Sequence, residues 1–393
     1  MLNWDYESEL HKVEGDAKAS VSSIYAELLA RSGVASVTID EHTHYQGVFS
    51  YDAVKQATED TETFSSVMPL RGARILPLQA DPPEHGVVRR LLNGNFRPGQ
   101  IRTKEPIVRK MAAEMIEAAI EAGTFDMGEG FAYPLPTRTL CNYIGIPDED
   151  WLLHHRYIMD LEKRTKHGLN SPDESVIPPS EGLVQYLLEL IAERREEPGD
   201  DPISAILQAE LNGEPISDFD AMQLCIAMLM AGHITTSSAT GSLVLRLATD
   251  LDLQVFLRKN PERIPDAVEE SLRLDSPQQA MQRRCRRDTV LAGQSIKAGD
   301  AVLINFGSAN VDPEHFENPA TFDIDRKDKR HVAFGSGIHM CVGAPLARME
   351  LRIVAEELLA RTSRFELDGP VRRLAWPRLA VENLPIRFVA AGK

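Results

Sequence analysis

Phe334-Gly335-Ser336-Gly337-Ile338-His339-Met340-Cys341-Val342-Gly343 is the stretch on which the reading of this chain turns. It holds three glycines and one cysteine, and an amphipathic pattern starts directly behind it. Pro345 suits a first helical turn, and Leu346, Met349, Ile353, Leu358 and Leu359 recur near helical spacing. Cys341 is therefore expected just ahead of a helix N-terminus, where the dipole and free amides favour a thiolate over a thiol. Gly335, Gly337 and Gly343 let the backbone come closer to the sulfur, or to something planar, than a β-carbon allows. A thiolate ringed by amide donors suits a soft-liganded iron centre, whose potential such hydrogen bonds tune. A lone Gly-x-Gly would instead read as a turn with an incidental cysteine.

The 393 residues are 43% hydrophobic and 26% charged, a globular composition able to bury a large core. No Gly/Ser-rich linker, repeat or low-complexity tract divides them, so residues 1–393 read as one domain, with residues 1–20 as a loosely ordered N-terminal segment. A net charge of −16 weighs against nucleic acid as a partner and favours solubility. Cys141, Cys225, Cys285 and Cys341 are too few for a disulfide framework in a chain this long, and the first three read as buried, inert thiols. The acidic N-terminus carries no apolar signal segment, and the longest uncharged apolar run, residues 224–232, is too short to cross a bilayer. A cytoplasmic protein without a membrane partner is expected.

Along the chain, helices are expected over 21–31, 52–58, 151–163, 183–195 and 264–274, with strands over 35–39 and 45–49. A helix over 104–121 would be capped by Thr103 and stopped by Gly123. Strands are expected over 289–291, 294–296 and 301–305, with turns at Gly293 and Gly299. Residues 374–377 and 386–390 read as a final pair. Ser217 would cap a long helix through Ala227 and Met230, centred on Ala231-Gly232-His233-Ile234-Thr235-Thr236. The small Ala231 and Gly232 beside a β-branched hydroxyl suggest something flat against that helix, although close helix packing explains such a pair as well. His85 and Arg89 follow Asp81-Pro82-Pro83-Glu84 at i,i+4, so one helix face offers two donors to a carboxylate. Glu270 and Arg273 stand at i,i+3, ahead of Phe322-Asp323-Ile324-Asp325-Arg326.

The run 334–343 resembles the haem-binding loop of the cytochrome P450 family, Phe-Gly-x-Gly-x-His-x-Cys-x-Gly, at every fixed position. The family's Asp-Pro-Pro-Glu-His-x-x-x-Arg and Ala-Gly-x-acid-Thr-Thr patterns are matched at 81–89 and 231–236, with one departure: Ile234 replaces the acid. The resemblance spans nearly the whole chain and implies a mainly α fold with small β-sheets. It implies haem b as cofactor, Cys341 as iron ligand, and Phe334, Gly335, Gly343 and Ala231 against the haem. His85, Arg89, Arg283 and His339 would hold its propionates, and Glu270, Arg273 and Arg326 would form a structural network. Gly232, Ile234 and Thr235 fall on the oxygen-activating segment, where Thr235 would assist proton delivery. An isoleucine cannot relay a proton, so either another acid or a water chain serves, or His233 substitutes in part, or the enzyme works slowly or uses peroxide.

The implied activity is insertion of one oxygen atom of O2 into a small, mostly apolar organic substrate by hydroxylation or O-dealkylation. Electrons would come from NAD(P)H through a reductase and a ferredoxin-like donor. The rivals are a peroxide-driven peroxygenase of the same fold and a haem-thiolate binding or sensing protein. Leu70, Ile75, Ala227 and Met230 are expected at the substrate pocket. There Gln278 and Gln279 would offer amides to a substrate oxygen, unless both bond the backbone. A basic stretch of Arg89, Arg90, Arg97, Arg102, Lys104, Arg109 and Lys110 against Glu105 reads as a docking patch for an acidic electron donor.

Overall fold

Where the sequence alternates the chain forms strands, and where apolar residues recur every three to four positions it forms helices. The computed structural model describes residues 3–5, 22–30, 33–40, 43–67, 75–164, 180–211, 213–374 and 378–391. The N-terminal part is β1 (Asn3–Asp5), α1 (Ser22–Leu29), β2 (Val34–Asp40), β3 (Thr43–Val48), α2 (Tyr51–Glu59) and β4 (Phe64–Ser65). Helices α3 (Glu84–Asn95) and α4 (Pro98–Ala122), strand β5 (Thr124–Asp126), and helices α5 (Pro134–Ile144), α6 (Trp151–Arg164), α7 (Glu181–Glu196) and α8 (Pro202–Leu207) follow. A small hairpin of β6 (Glu210–Leu211) and β7 (Glu214–Pro215) leads to α9 (Asp218–Thr249), α10 (Leu251–Lys259) and α11 (Ile264–Leu274). The remainder is β8 (Ala280–Cys285), β9 (Thr289–Leu291), β10 (Gln294–Ile296), β11 (Ala301–Asn305), α12 (Phe306–Ala309), α13 (Ala344–Arg361), β12 (Thr362–Leu367), β13 (Arg372–Leu374), β14 (Ala380–Asn383) and β15 (Pro385–Ala390).

The fold is mainly α with small sheets. The largest core cluster packs α3, α4, α5, α9, α11 and α13 together, and two smaller clusters lie around a sheet ordered β1-β2-β3-β11-β8-β4. In that sheet β11 runs parallel to β3 and antiparallel to β8. Asn3–Asp5 adds in parallel to Ser36–Thr38, so part of the segment expected to be loose belongs to the sheet. Helix α9 spans 32 residues and is buried along most of its length, as its nearly all-round apolar sequence requires. Ser217 caps it by accepting from the Asp220 amide, 3.1 Å away.

Two local expectations are corrected. Helix α4 opens at Pro98, not behind Thr103, whose hydroxyl lies within the helix and donates to Gln100 O. A proline at the first turn loses only an amide that had no partner there, so it starts the helix earlier. At the C-terminus, residues 386–390 do not pair with 374–377, of which 375–377 lie outside the described residues. Arg372–Leu374 pairs with Ala380–Asn383, while β15 joins β12 and β5 in another sheet. The nearer strand wins the short hairpin, and Phe388 packs beside Phe365 instead.

Candidate functional site

The glycine loop is shaped by its own backbone. Gly335 and Gly337 stand at φ 71° and 65°, where a β-carbon is strained. A Cβ on Gly337 would lie 3.1 Å from Thr58 O, so the turn is pressed against α2. The Cys341 amide donates to Phe334 O over 2.8 Å and closes the loop. Helix α13 then begins at Ala344 with Pro345 in its first turn, as its sequence implies.

The Cys341 thiol is accessible, though protein surrounds it. Enclosure pushes its pKa up, against the amides of Gly343 and Ala344 and the charges of Arg89 and Arg348. The amides therefore do not by themselves hold a thiolate, contrary to expectation; a coordinated metal would deprotonate it outright. Gly343 sits at φ −80°, and a Cβ there would stand 3.9 Å from the sulfur, an ordinary contact. The other three cysteines are buried, and burial pushes Cys141 and Cys225 up to about 12.

Beside the loop lies a cluster of donors. His85 is buried, its ring centroid 4.4 Å from that of His339, and its Nε2 has no partner among the described residues. His339 Nε2 lies 2.9 Å from Ser66 Oγ. Arg283 is only 3% exposed, and among the described residues its side chain makes one hydrogen bond, 2.7 Å from Nη1 to Gln282 O. Arg89 donates to Asn93 Oδ1 and to Met340 O. Burial lowers the pKa of all four, and that of Arg283 falls to about 10. The nearest acid, Asp81, is already taken by Ser65 Oγ, the Ser66 amide and Arg286. Buried donors without a carboxylate of their own are costly, and an anion with two carboxylates would satisfy them.

The middle of α9 opens on one side. Ala231 is exposed in the middle of a helix that is mostly buried, and the partly buried Ala227 and Thr235 share its face at four-residue steps. Thr235 Oγ1 donates to Ala231 O over 2.8 Å, one turn back. Gly232 faces elsewhere: a Cβ there would stand 2.8 Å from Leu140 Cδ2, so its small size serves helix packing. His233 is fully buried, and its Nδ1 meets Thr137 Oγ1 of α5. Two residues around the helix from Thr235, it does not take the acid's place. Ile234 packs against the main core.

Glu270, Arg273 and Arg326 come together as a buried network. Glu270 accepts from Arg273 over 2.9 and 2.8 Å, from Arg326 over 3.1 and 3.2 Å, and from the Asp323 amide over 2.9 Å. Gln279 is not brought to the site. It has no exposed surface, Tyr25 OH donates to its Oε1, and its Nε2 donates to Ser276 O. Gln278 is partly buried, and its Nε2 bonds Ala280 O. The expected amide pair for a substrate is thus corrected: the protein already holds both nitrogens. Ile75 is partly buried and Met230 lies one residue before Ala231, while Leu70 falls outside the described residues. The basic stretch also thins out. Arg109 is held by Glu105, Glu356 and Glu357, and Arg89 turns inward, leaving Arg90, Arg97, Arg102 and Lys110 exposed, the last 3.8 Å from Glu114.

A haem fits these residues: an accessible thiol at a helix start, donors lacking carboxylates, and a small side chain at an opening in a buried helix. Among the described residues no helix is long and apolar enough to cross a membrane. The cytochrome P450 family model matches residues 174–386. Erythromycin C-12 hydroxylase of Saccharopolyspora erythraea is 35% identical over 83% of this chain and 84% of its own length. The crystal structure of CYP108D1 from Novosphingobium aromaticivorans superposes with a TM-score of 0.84 at 31% identity, covering 94% of both chains. CYP109E1 from Bacillus megaterium, in complex with testosterone, gives a TM-score of 0.83 at 30% identity over 97% of this chain and 98% of that one.

Proposed function

The chain belongs to the cytochrome P450 family of haem-thiolate monooxygenases, and on that premise we propose that it oxidises a small, mostly apolar organic substrate. Haem b is the proposed cofactor, and hydroxylation or O-dealkylation the proposed reaction. The observation that carries this reading is the accessible Cys341 thiol beside buried donors that have no carboxylate of their own.

Bound haem supplies oxygen activation and transfer of one oxygen atom to carbon. The chain supplies placement. Cys341 holds the iron while the Gly343 and Ala344 amides orient its sulfur. His85, Arg89, Arg283 and His339 bind the propionates, and Ala231 leaves clearance for the ring. Thr235 keeps its hydroxyl on the open face of α9, where Oγ1 can hold and pass a proton. Ala227, Met230 and Ile75 give the substrate apolar walls. Exposed Arg90, Arg97 and Arg102 offer an acidic, ferredoxin-like carrier of NAD(P)H electrons a landing surface. Ile234 supports a second reading, in which hydrogen peroxide supplies the oxygen, because the residue directly before Thr235 cannot relay protons.

The test is a spin-state titration of the purified ferric protein against terpenoids, aromatic ethers, aromatic acids, steroids, fatty acids and, given the erythromycin hydroxylase, a macrolide. A saturable shift with one class names the substrate family. Product from that compound with an electron-transfer chain supports the monooxygenase reading, and product with peroxide alone supports the second. Absence of a haem-thiolate spectrum in the wild-type protein sinks both.

A further inference from the structure

Helix α11 carries a second carboxylate beside the structural Glu270, and it belongs to a different circle of contacts. Glu269 accepts a fork from Arg348 of α13: Nε to Oε1 over 2.6 Å and Nη2 to Oε2 over 2.9 Å. His331 Nε2 lies 3.0 Å from the same Oε2, and the Ala333 amide donates to His331 Nδ1 over 3.3 Å. A ring nitrogen that accepts from an amide carries no proton, so His331 is the tautomer that donates to Glu269. Three charge-assisted donor atoms therefore hold the carboxylate, and its pKa is lowered to about 2 by His331 and Arg348, despite burial that works the other way.

The fork fixes Arg348 in space. Its guanidinium carbon lies 4.4 Å from the centroid of the Phe334 ring. Phe334 in turn accepts the Cys341 amide on its carbonyl, so Arg348 lies one residue removed from the sulfur's own backbone. Resting on the assignment of Cys341 as the iron ligand, we infer that Arg348, anchored by Glu269 and His331, is a positioning residue that sets the electron affinity of the haem iron. A permanent positive charge near the thiolate favours the reduced state, which carries one more electron. The Glu269 carboxylate opposes it from farther away. Arg348 is 42% exposed, so water screens part of its field and the effect is modest.

The experiment is equilibrium one-electron reduction of the haem-loaded protein at an electrode, read as the ferrous-to-ferric ratio at one fixed potential. Arg348→Gln is expected to lower the ratio about threefold, and Glu269→Gln to raise it by a similar factor. That is roughly 30 mV in either direction, at 59 mV per tenfold for one electron. Arg348→Lys keeps the charge without the fork and is expected to recover most of the loss. A purely structural role moves both glutamine variants the same way, through loosening of the loop. Same-sign shifts, unchanged ratios, or a lysine variant no better than glutamine overturn the inference while leaving Cys341 as ligand. Loss of the thiolate spectrum in the wild type would instead remove its premise.

Discussion

The Glu270 network and the His85–Arg283 cluster are both buried, and they differ in how their hydrogen bonds are spent. In the first, Arg273 gives its remaining donors to Asn310, Pro319 and Thr321 carbonyls, and Arg326 to those of Glu317, Asn318 and Thr321. Glu270 is ringed by both arginines. In the second, His85 Nε2 has no partner among the described residues and Arg283 has one carbonyl. A cluster that completes itself is scaffold. One that keeps donors in reserve fits the propionate site proposed above.

The contrast breaks first at Glu270. Glu270→Ala strands two buried guanidinium groups and should cost about 3–5 kcal/mol, enough to prevent folding in a marginal protein. Urea unfolding of the haem-free chain measures it. Arg283→Leu should do the reverse in the haem-free protein, with stability unchanged or higher, because an uncompensated buried charge is removed. The same variant should lose haem about tenfold faster or more, since a hydrogen bond to a charged group goes with it. Transfer of haem to an acceptor protein gives the rate. If Arg283→Leu unfolds the haem-free chain as Glu270→Ala does, the two clusters are alike and the distinction fails.

Two histidines sharpen the same point. His154 has no partner on either ring nitrogen among the described residues, and burial lowers it to about 4 and His233 to about 3. Both stay neutral in the fold, whereas the unfolded chain takes up protons below its ordinary value of 6.5. Their contribution to stability is therefore complete above pH 6.5 and lost as pH falls, by about 1 kcal/mol per pH unit for each. His154→Phe should flatten that slope in unfolding measured from pH 7.5 to 5. His154 thus marks an unpaired polar side chain away from the His85–Arg283 cluster, where the cost is met by staying neutral. The smallest effect belongs to exposed charge. Arg97→Gln should change stability by under about 0.5 kcal/mol. It should slow reduction by an acidic ferredoxin at low salt, a difference that fades at high salt.

The site's linear parts were legible because they are local. The glycines that permit left-handed turns, the proline that opens α13 and the period of α11 act over a few residues, so the sequence alone places Cys341 ahead of a helix and bounds α11 at Ile264–Leu274. His85 and Arg89 share a helix face for the same reason. Glu269 and Arg348 could not be paired this way, because 79 residues separate them and neither position carries a periodic mark.

What the sequence determined by itself is therefore the set of short-range choices: the glycine turns, the proline-opened start of α13, the span of α11, and an isoleucine at 234. What only the tertiary structure decided is which polar groups are already used. Gln279 looked available until Tyr25, 254 positions away, closed over its oxygen, and Arg109 looked free to meet a partner until α13 supplied Glu356 and Glu357. Backbone conformation is set by neighbours in the chain. The partner of a side chain is set by whatever the fold brings alongside it, and for that the one-dimensional order holds no sign.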